Sequence, residues 1–588
     1  MLKKTLLLSI GIIWLIHFGY YPKWQKKGPE ATLSWDVSGY YMYLPAFFIY
    51  RDLKKCHFQR EILEKYIPTP NFQQAFIHEP SGNYVMKYSV GQAMVFSPFF
   101  ALAHLWALGD PKYPPDGFSL PYQFMISIGM LFITAIGLLF LSKSLHYYFD
   151  ELSVSLTILS LAIGTNYLNY SAIDGAMTHN SLFAIYAILI YLCIQFYRKP
   201  SIYLSAGIGI CVGLAALIRP TEIISCLIPL LWGVNLLNVD SISKRLSFLK
   251  VNWINLITAI IICLSIGAIQ LIYWKYVSGE WIVYSYQDQG FSWLSPHIMD
   301  CLFSYKSGWL IYSPLMSLAL LGFIPLYYNR RHLFFGVFIF AFLFMYIAFS
   351  WDVWWYGGSL GQRAMVQCYP ILAFSLCALF DVIIKRASNW IKLPFAVVAI
   401  VFIYANLWFT HQVHRGGLVH VGEMNKLYFW KVLFTYHKNP DHIKLFDGVE
   451  EVYEGALNNR KLIFQDTSFA QVLNHANQFS KTVSLPIKDL PTPFDWIRVS
   501  VDASIKYKEW NTWAMTQFIV ELKNHSEVVH TSMMRIQRHL SEFQTKRIYL
   551  DIRNSNEPYT TVNVLFWNAE GKQEIILNNL TLETFNEN

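Results

Sequence analysis

The sequence predicts a polytopic α-helical membrane protein that ends in a soluble β-sandwich. Of its 588 residues, 54% are hydrophobic and only 14% are charged, where a soluble protein carries about 25% charged residues. The apolar residues gather into uncharged stretches of roughly the 17–25 residues needed to cross about 30 Å of hydrocarbon. After Thr410 the pattern changes: charges and Asn become frequent and apolar runs shorten to strand length. This composition excludes a soluble enzyme, a disordered hub and a fibrous protein. Phe, Trp and Tyr make up 17% of the chain, as expected where amphipathic rings line membrane interfaces or meet flat apolar and sugar ligands.

The first predicted span, 5–21, follows Lys3 and Lys4. No small-residue cleavage site comes after it, because Tyr20, Tyr21, Pro22 and Lys23 are next, so it reads as an uncleaved anchor. Further spans are predicted at 121–142, 152–170, 179–197, 202–218, 222–238, 253–274, 308–327, 333–350, 364–384 and 393–409, for about eleven crossings. The stretch 88–109 is long enough to cross but contains Gly91, Ser97 and Pro98.

Charge bias decides its placement. With 88–109 on the outer side as an interfacial or re-entrant segment, the cytoplasmic loops hold Lys143, Arg198, Lys199, Lys244, Arg245, Lys250, Arg330, Arg331, Lys385, Arg386 and Lys392. The outer loops and span ends then keep Arg219, Lys275, Lys306 and Arg363. The N terminus is therefore expected in the cytoplasm, with outer loops at 22–120, carrying interfacial helices, and at 275–307. The protein is expected in a bacterial inner membrane.

The chain is expected to divide into a membrane body, 1–410, and an outer β domain, 411–588. Trp496–Ala503, Phe518–Leu522, Arg547–Ile552 and Thr561–Trp567 read as strands, with turns at Asn554–Pro558 and Glu570-Gly571. Such a domain binds glycan or another ligand, docks a partner, or serves as a lid that stabilises the body.

The net charge of +8 is scattered between apolar segments, which speaks against a nucleic-acid partner. The eight cysteines show no CxxC spacing, and no zinc site or disulfide framework is expected. No Walker loop, GxGxxG turn or DxD pair is present. A metal is not indicated, a lone site built from Asp288, His297 or Asp300 being the one alternative, and no cofactor is implied.

The remaining polar residues fall on the outer side: Asp36, Asp174, Thr178 and His179, Arg219 with Glu222, Lys306, Asp352 and Arg363. Ionisable residues at membrane depth are costly and mark functional sites by default. Taken singly, Asp36 suits a helix N-cap, Arg219 and Lys306 suit snorkelling anchors, His179 a packing role and Asp174-Gly175 a turn. Their convergence on one side favours a site.

That set resembles the GT-C superfamily of integral-membrane glycosyltransferases, the group of the protein O-mannosyltransferases and the lipid A aminoarabinose transferases. The resemblance covers about 1–410. It rests on Asp36 in WDVSGYYMYLPA, the K-Y-x-x-G-x-x-x-x-x-x-P-F-F segment Lys87–Phe100, the RPT of Arg219–Thr221, KSGWLIYSP from Lys306 to Pro314, and the WxxWWYGGxxGxR element ending at Arg363. Many members carry paired acids in the first outer loop, whereas here Trp35 and Val37 flank Asp36, leaving Asp174 or Asp352 to supply a second carboxylate.

The resemblance implies a sugar linked through phosphate to a polyprenyl chain as donor and a hydroxyl of a protein, lipid or envelope glycan as acceptor. It implies Asp36 as general base of an inverting single displacement, and Arg363, Lys306 and Arg219 at the donor phosphate. Asp174, His179, Asp352, Lys87, Tyr40 and Tyr41 are expected to support them. The rivals are a lipid-linked glycan transporter, flippase or polymerase, and a membrane scaffold with a glycan-binding outer domain. A scaffold predicts Asp36 far from Arg363 and Lys306.

Overall fold

The computed structural model describes residues 1–588 except 491, 492, 508, 510, 572 and 588. The described chain forms two compact units, Met1–Gly422 and Glu423–Asn588. The first is helical. The apolar helix at its end, Asn389–His411, continues through a further turn to Gly416, so the change of composition at Thr410 marks the end of an apolar stretch, and the unit itself closes after residue 410.

In chain order the first unit contains α1 (Leu2–Leu15), α2 (Trp35–Tyr41), α3 (Gln59–Tyr66), the hairpin of β1 (Ala75–His78) and β2 (Asn83–Met86), α4 (Gly91–Gly109), α5 (Leu120–His146), α6 (Glu151–Gly164), α7 (Tyr167–Ala172), α8 (Thr178–Arg198) and α9 (Ile202–Ile218). There follow α10 (Leu227–Leu231), α11 (Val239–Val251), α12 (Trp253–Ser278), α13 (Ile298–Phe303), α14 (Trp309–Tyr312), α15 (Met316–Leu321), α16 (Phe323–Asn329), α17 (Arg331–Phe349), α18 (Tyr369–Arg386) and α19 (Asn389–His411). Eight helical segments are long and apolar enough to cross a membrane, and four shorter apolar segments cover Glu151–Gly164, Ile202–Ile218, Pro220–Leu231 and Met316–Asn329, all among the described residues.

The helix ends follow from the sequence. Asp150 caps α6 by accepting from the backbone of Leu152 and Ser153, and Gly279 ends α12 in the left-handed region at φ 82°, where a side chain would be strained. Pro370 starts α18 and Lys385 and Arg386 end it, matching its dipole. One end of the bundle gathers charge: the N-terminal amine lies 2.8 Å from Glu151, Lys385 lies 2.9 Å from Asp150, and Arg330 lies 3.7 Å from Asp381.

Helix α4 begins against Leu217 and Ile218 at the end of α9 and continues to Tyr122 and Phe124 at the start of α5. Helices α9 and α12 come together through small residues, because a Cβ added at Gly209 would stand 2.4 Å from the Ala259 carbonyl and one at Gly213 3.0 Å from the Cα of Cys263. This Gly-xxx-Gly face lets two backbones touch.

Among the described residues the second unit holds α20 (Lys426–Val432) and eight strands: β3 (Asn458–Leu473), β4 (Val483–Pro486), β5 (Trp496–Ile505), β6 (Gln517–Asn524), β7 (Glu527–Arg535), β8 (Lys546–Arg553), β9 (Thr561–Trp567) and β10 (Ile575–Asn586). Two antiparallel sheets, ordered β3-β10-β5-β8 and β4-β9-β6-β7, form the expected sandwich. Phe518, Val520 and Leu522 on β6 and Val562, Val564 and Phe566 on β9 are buried, as the period-2 pattern requires. The side chain of Asp447 is fully buried and is held by Arg535 at 2.5 Å and Arg538 at 3.4 Å.

Replacing Gly209 by Leu forces α9 and α12 apart. We expect a loss of about 1–3 kcal/mol, read as a lower thermal midpoint of the detergent-solubilised protein, whereas Gly267→Leu, with open space around it, leaves the midpoint nearly unchanged.

Candidate active site

Four polar side chains come together where helices begin or end. Asp36 lies in the first turn of α2, His179 in the first turn of α8, Arg219 directly after α9, and Arg363 in the turn leading into α18. Arg363 Nη2 donates to Asp36 Oδ2 at 2.6 Å and Tyr88 donates its hydroxyl to Asp36 Oδ1 at 2.7 Å. Arg219 forms no ion pair among the described residues. Its guanidinium lies 5.9 Å from the Tyr356 ring, and that of Arg363 lies 5.8 Å from the same ring.

The side chain of Asp36 remains 26% exposed, against 17% for that of Arg363, so the pair is sunken but reachable. Burial works to raise the Asp36 carboxyl, yet the charges of Arg363 and Arg219 and the bonds from Tyr88 and Arg363 hold it below its ordinary value. Tyr88 is pushed well above the usual phenol range by burial and then by the Asp36 charge, so it stays a donor. Tyr286 closes the same space by packing on Tyr88 at 6.0 Å and on Trp351 at 5.3 Å.

Three residues around this site hold positive φ without being glycine: Trp35 at 48°, Gln287 at 55° and Tyr356 at 53°. Such conformations cost about 1–3 kcal/mol each and persist where surrounding structure enforces them.

The structure separates the other expected residues. Tyr40 packs on Tyr88 at 4.4 Å and belongs to the cluster. Tyr41 is fully buried and donates to the Gly117 carbonyl at 2.6 Å, a packing role. Lys87 lies along the Tyr88 ring at 5.7 Å. Asp174 is ion-paired with Lys23 and accepts from Asn169 at 3.0 Å, and takes no part in the ion pair of Asp36 with Arg363. Asp352 binds the Gly290 amide at 2.9 Å and the Ser292 hydroxyl at 2.6 Å, clasping the aromatic loop. Lys306 stands over the Trp355 ring at 3.8 Å, one residue from Tyr356, and not in the ion pair. Among the described residues no group of three His, Cys, Asp or Glu side chains could hold a metal ion.

Sequence reasoning missed Tyr88, Tyr286, Tyr356 and Gln367. Tyr88 and Tyr356 sit inside motifs whose signal lies in their neighbours, the Lys87–Phe100 segment and the WWYGG run. Gln367 gave no signal, being an uncharged residue in an apolar stretch.

No protein-family profile matches the chain, and no curated protein sequence matches it. Among solved structures, the arabinosyltransferase EmbB of Mycobacterium smegmatis is similar over 98% of this chain at 9% identity and a TM-score of 0.37. The chain spans 64% of the length of that protein.

The Asp36 pairing makes a pH prediction. A carboxyl with a depressed folded value keeps its stabilising charge above the ordinary 3.8 and loses it only as pH falls through the lower folded value. In Arg363→Met burial acts with less opposition, so the Asp36 carboxyl should protonate at higher pH. Infrared titration of the carboxyl band, with Asp36→Asn as the blank, should show this upward move; an unmoved band would contradict the assigned cause.

Proposed function

We propose that the protein is an integral-membrane glycosyltransferase of the GT-C type, transferring a sugar from a polyprenyl-phosphate donor to a hydroxyl acceptor on the outer face of the membrane. One observation carries this reading: a reachable carboxylate, Asp36, meets a guanidinium, Arg363, while a second guanidinium nearby, Arg219, has no ion-pair partner among the described residues. Two fixed cations at one carboxylate leave room for an anion, and arginine engages phosphate bidentately.

In this reading the donor phosphate takes Arg219 and Arg363, which frees Asp36 from its ion pair. Asp36 then accepts the proton of the acceptor hydroxyl as that oxygen bonds to the anomeric carbon. The bond from carbon to phosphate oxygen breaks, and polyprenyl phosphate leaves with the electron pair. The arginines stabilise its charge in a water-poor site, where they act more strongly than in water. The displacement inverts the anomeric centre.

The polyprenyl chain needs an apolar surface. The loop between α12 and α13 offers one: Trp281, Ile282, Trp293 and Leu294 are exposed, and Asp352 pins the loop beside Trp351. Lys306 stands over the Trp355 ring, next in the chain to the Tyr356 ring that both arginines approach, and would join the donor phosphate without taking part in the resting ion pair. A scaffold role called for Asp36 far from Arg363, and their contact argues against it.

The outer face is the one holding Asp36, with the charged end around Glu151 and Lys385 in the cytoplasm. Helix α4 has both of its ends beside helix ends of the outer side, which supports a non-crossing reading. Glu423–Asn588 would stand outside the membrane. It contains a polar cavity of about 500 Å³ lined by His437, Asp441, His442, Tyr453, Arg498 and Tyr549, among others, which suits an acceptor glycan.

Asp36→Asn in correctly inserted protein should lower transfer from polyprenyl-phosphate sugars by about 10²- to 10⁴-fold while donor binding persists. Unchanged transfer by this variant, measured on purified protein in lipid nanodiscs, would remove Asp36 as the base.

A further inference from the structure

Beside the ion pair lies a chain of buried polar groups that the transfer step does not use. Tyr186 donates its hydroxyl to Glu222 Oε2, and the Gln367 amide nitrogen donates to Glu222 Oε1. Gln367 thereby turns its carbonyl oxygen toward His179 Nδ1, 2.9 Å away. All four residues are 2% exposed or less.

The order of donors fixes the histidine. A carbonyl oxygen only accepts, so Nδ1 carries the hydrogen and Nε2 presents a lone pair. That Nε2 atom is buried and has no hydrogen-bond partner among the described residues. A buried acceptor left unpaired is costly, which points to a partner that arrives with a ligand. The imidazole feels the charges of both Arg219 and Arg363, the groups assigned to the donor phosphate, so this partner belongs to whatever those arginines hold. A phosphodiester at neutral pH cannot serve, because its oxygens only accept. A hydroxyl can.

We infer that His179, oriented by Glu222 through Gln367, accepts a hydrogen bond from a hydroxyl of the donor sugar close to its phosphate-bearing carbon, and so selects which sugars are transferred. This rests on the transferase reading and deepens it. His179 touches substrate; Gln367 and Glu222 are positioning residues that act through it.

The test pairs variants with substrate analogues. Full-length protein in nanodiscs is assayed with short-chain polyprenyl-phosphate mannose, glucose and arabinose, and with monodeoxy forms of the best of them. Deleting the contacted hydroxyl should cost the wild-type protein about 10²-fold or more in kcat/KM, since a site built to bind a hydroxyl rejects the analogue that lacks it. His179→Leu should lose a similar factor on the parent sugar and little more on that one deoxy form. His179→Gln keeps an acceptor in place and guards against a folding defect; it should retain the preference for the intact sugar. Gln367→Leu should weaken that preference without abolishing turnover.

Equal losses by His179→Leu on every analogue, or a wild-type protein indifferent to every deletion, would overturn the inference while leaving the transferase intact. Absence of wild-type transfer from any of these donors would overturn the transferase reading and the inference with it.

Discussion

The structure of the first unit depends on how few charges it can afford to bury. An ion moved from water into an apolar interior loses several kcal/mol even after the protein relaxes, so it must find a partner. The contact between Asp36 and Arg363 at 2.6 Å meets that demand across 327 positions of sequence. It ties the segment after the first apolar helix to the turn that begins α18. Tyr88 adds a third anchor from the segment leading into α4, and so three separate stretches are located by one carboxylate.

Helix ends are what make such pairing feasible. Asp36, His179, Arg219 and Arg363 all sit in a first turn or directly beside a helix terminus, where backbone donors and acceptors also lack partners. Concentrating the polar groups there lets the rest of each helix remain apolar and pack closely, as α9 and α12 do through Gly209 and Gly213. The opposite end of the bundle shows the same economy, with Asp150, Asp381, Arg330 and Lys385 gathered in one group.

How much of this the sequence reveals differs from one element to the next. Apolar length locates most helices, because burial in lipid leaves no alternative to an uncharged run. Charge bias places Asp36 and Arg363 on one side but carries no distance, so it could not separate Asp36, which meets Arg363, from Asp174 and Asp352, which bind Lys23 and the Gly290–Ser292 loop. Gln367 acquires its role only through His179 and Glu222 on other segments, a relation that one-dimensional pattern cannot express. In the second unit, Thr561–Trp567 alternates cleanly and is read to the residue. The strand Asn458–Leu473 is not, because most of its side chains are solvent-facing at a sheet edge and charged residues interrupt its apolar positions. The strand Ile575–Asn586 is hidden for a different reason: register shifts interrupt its pairing and disturb its alternation.

The order of that sheet bears on how the chain is made. Strand β10 lies between β3 and β5, pairing with Asn458–Leu473 on one side and with Trp496–Ile505 on the other. Until β10 leaves the ribosome, β3 has no neighbour in the sheet and β5 keeps one open edge. Such long-range closure is slow compared with local helix formation. The helical unit can therefore assemble in step with synthesis, whereas the β unit must wait for β10, and a ribosome that stops before Ile575 leaves strand edges of both β3 and β5 bare.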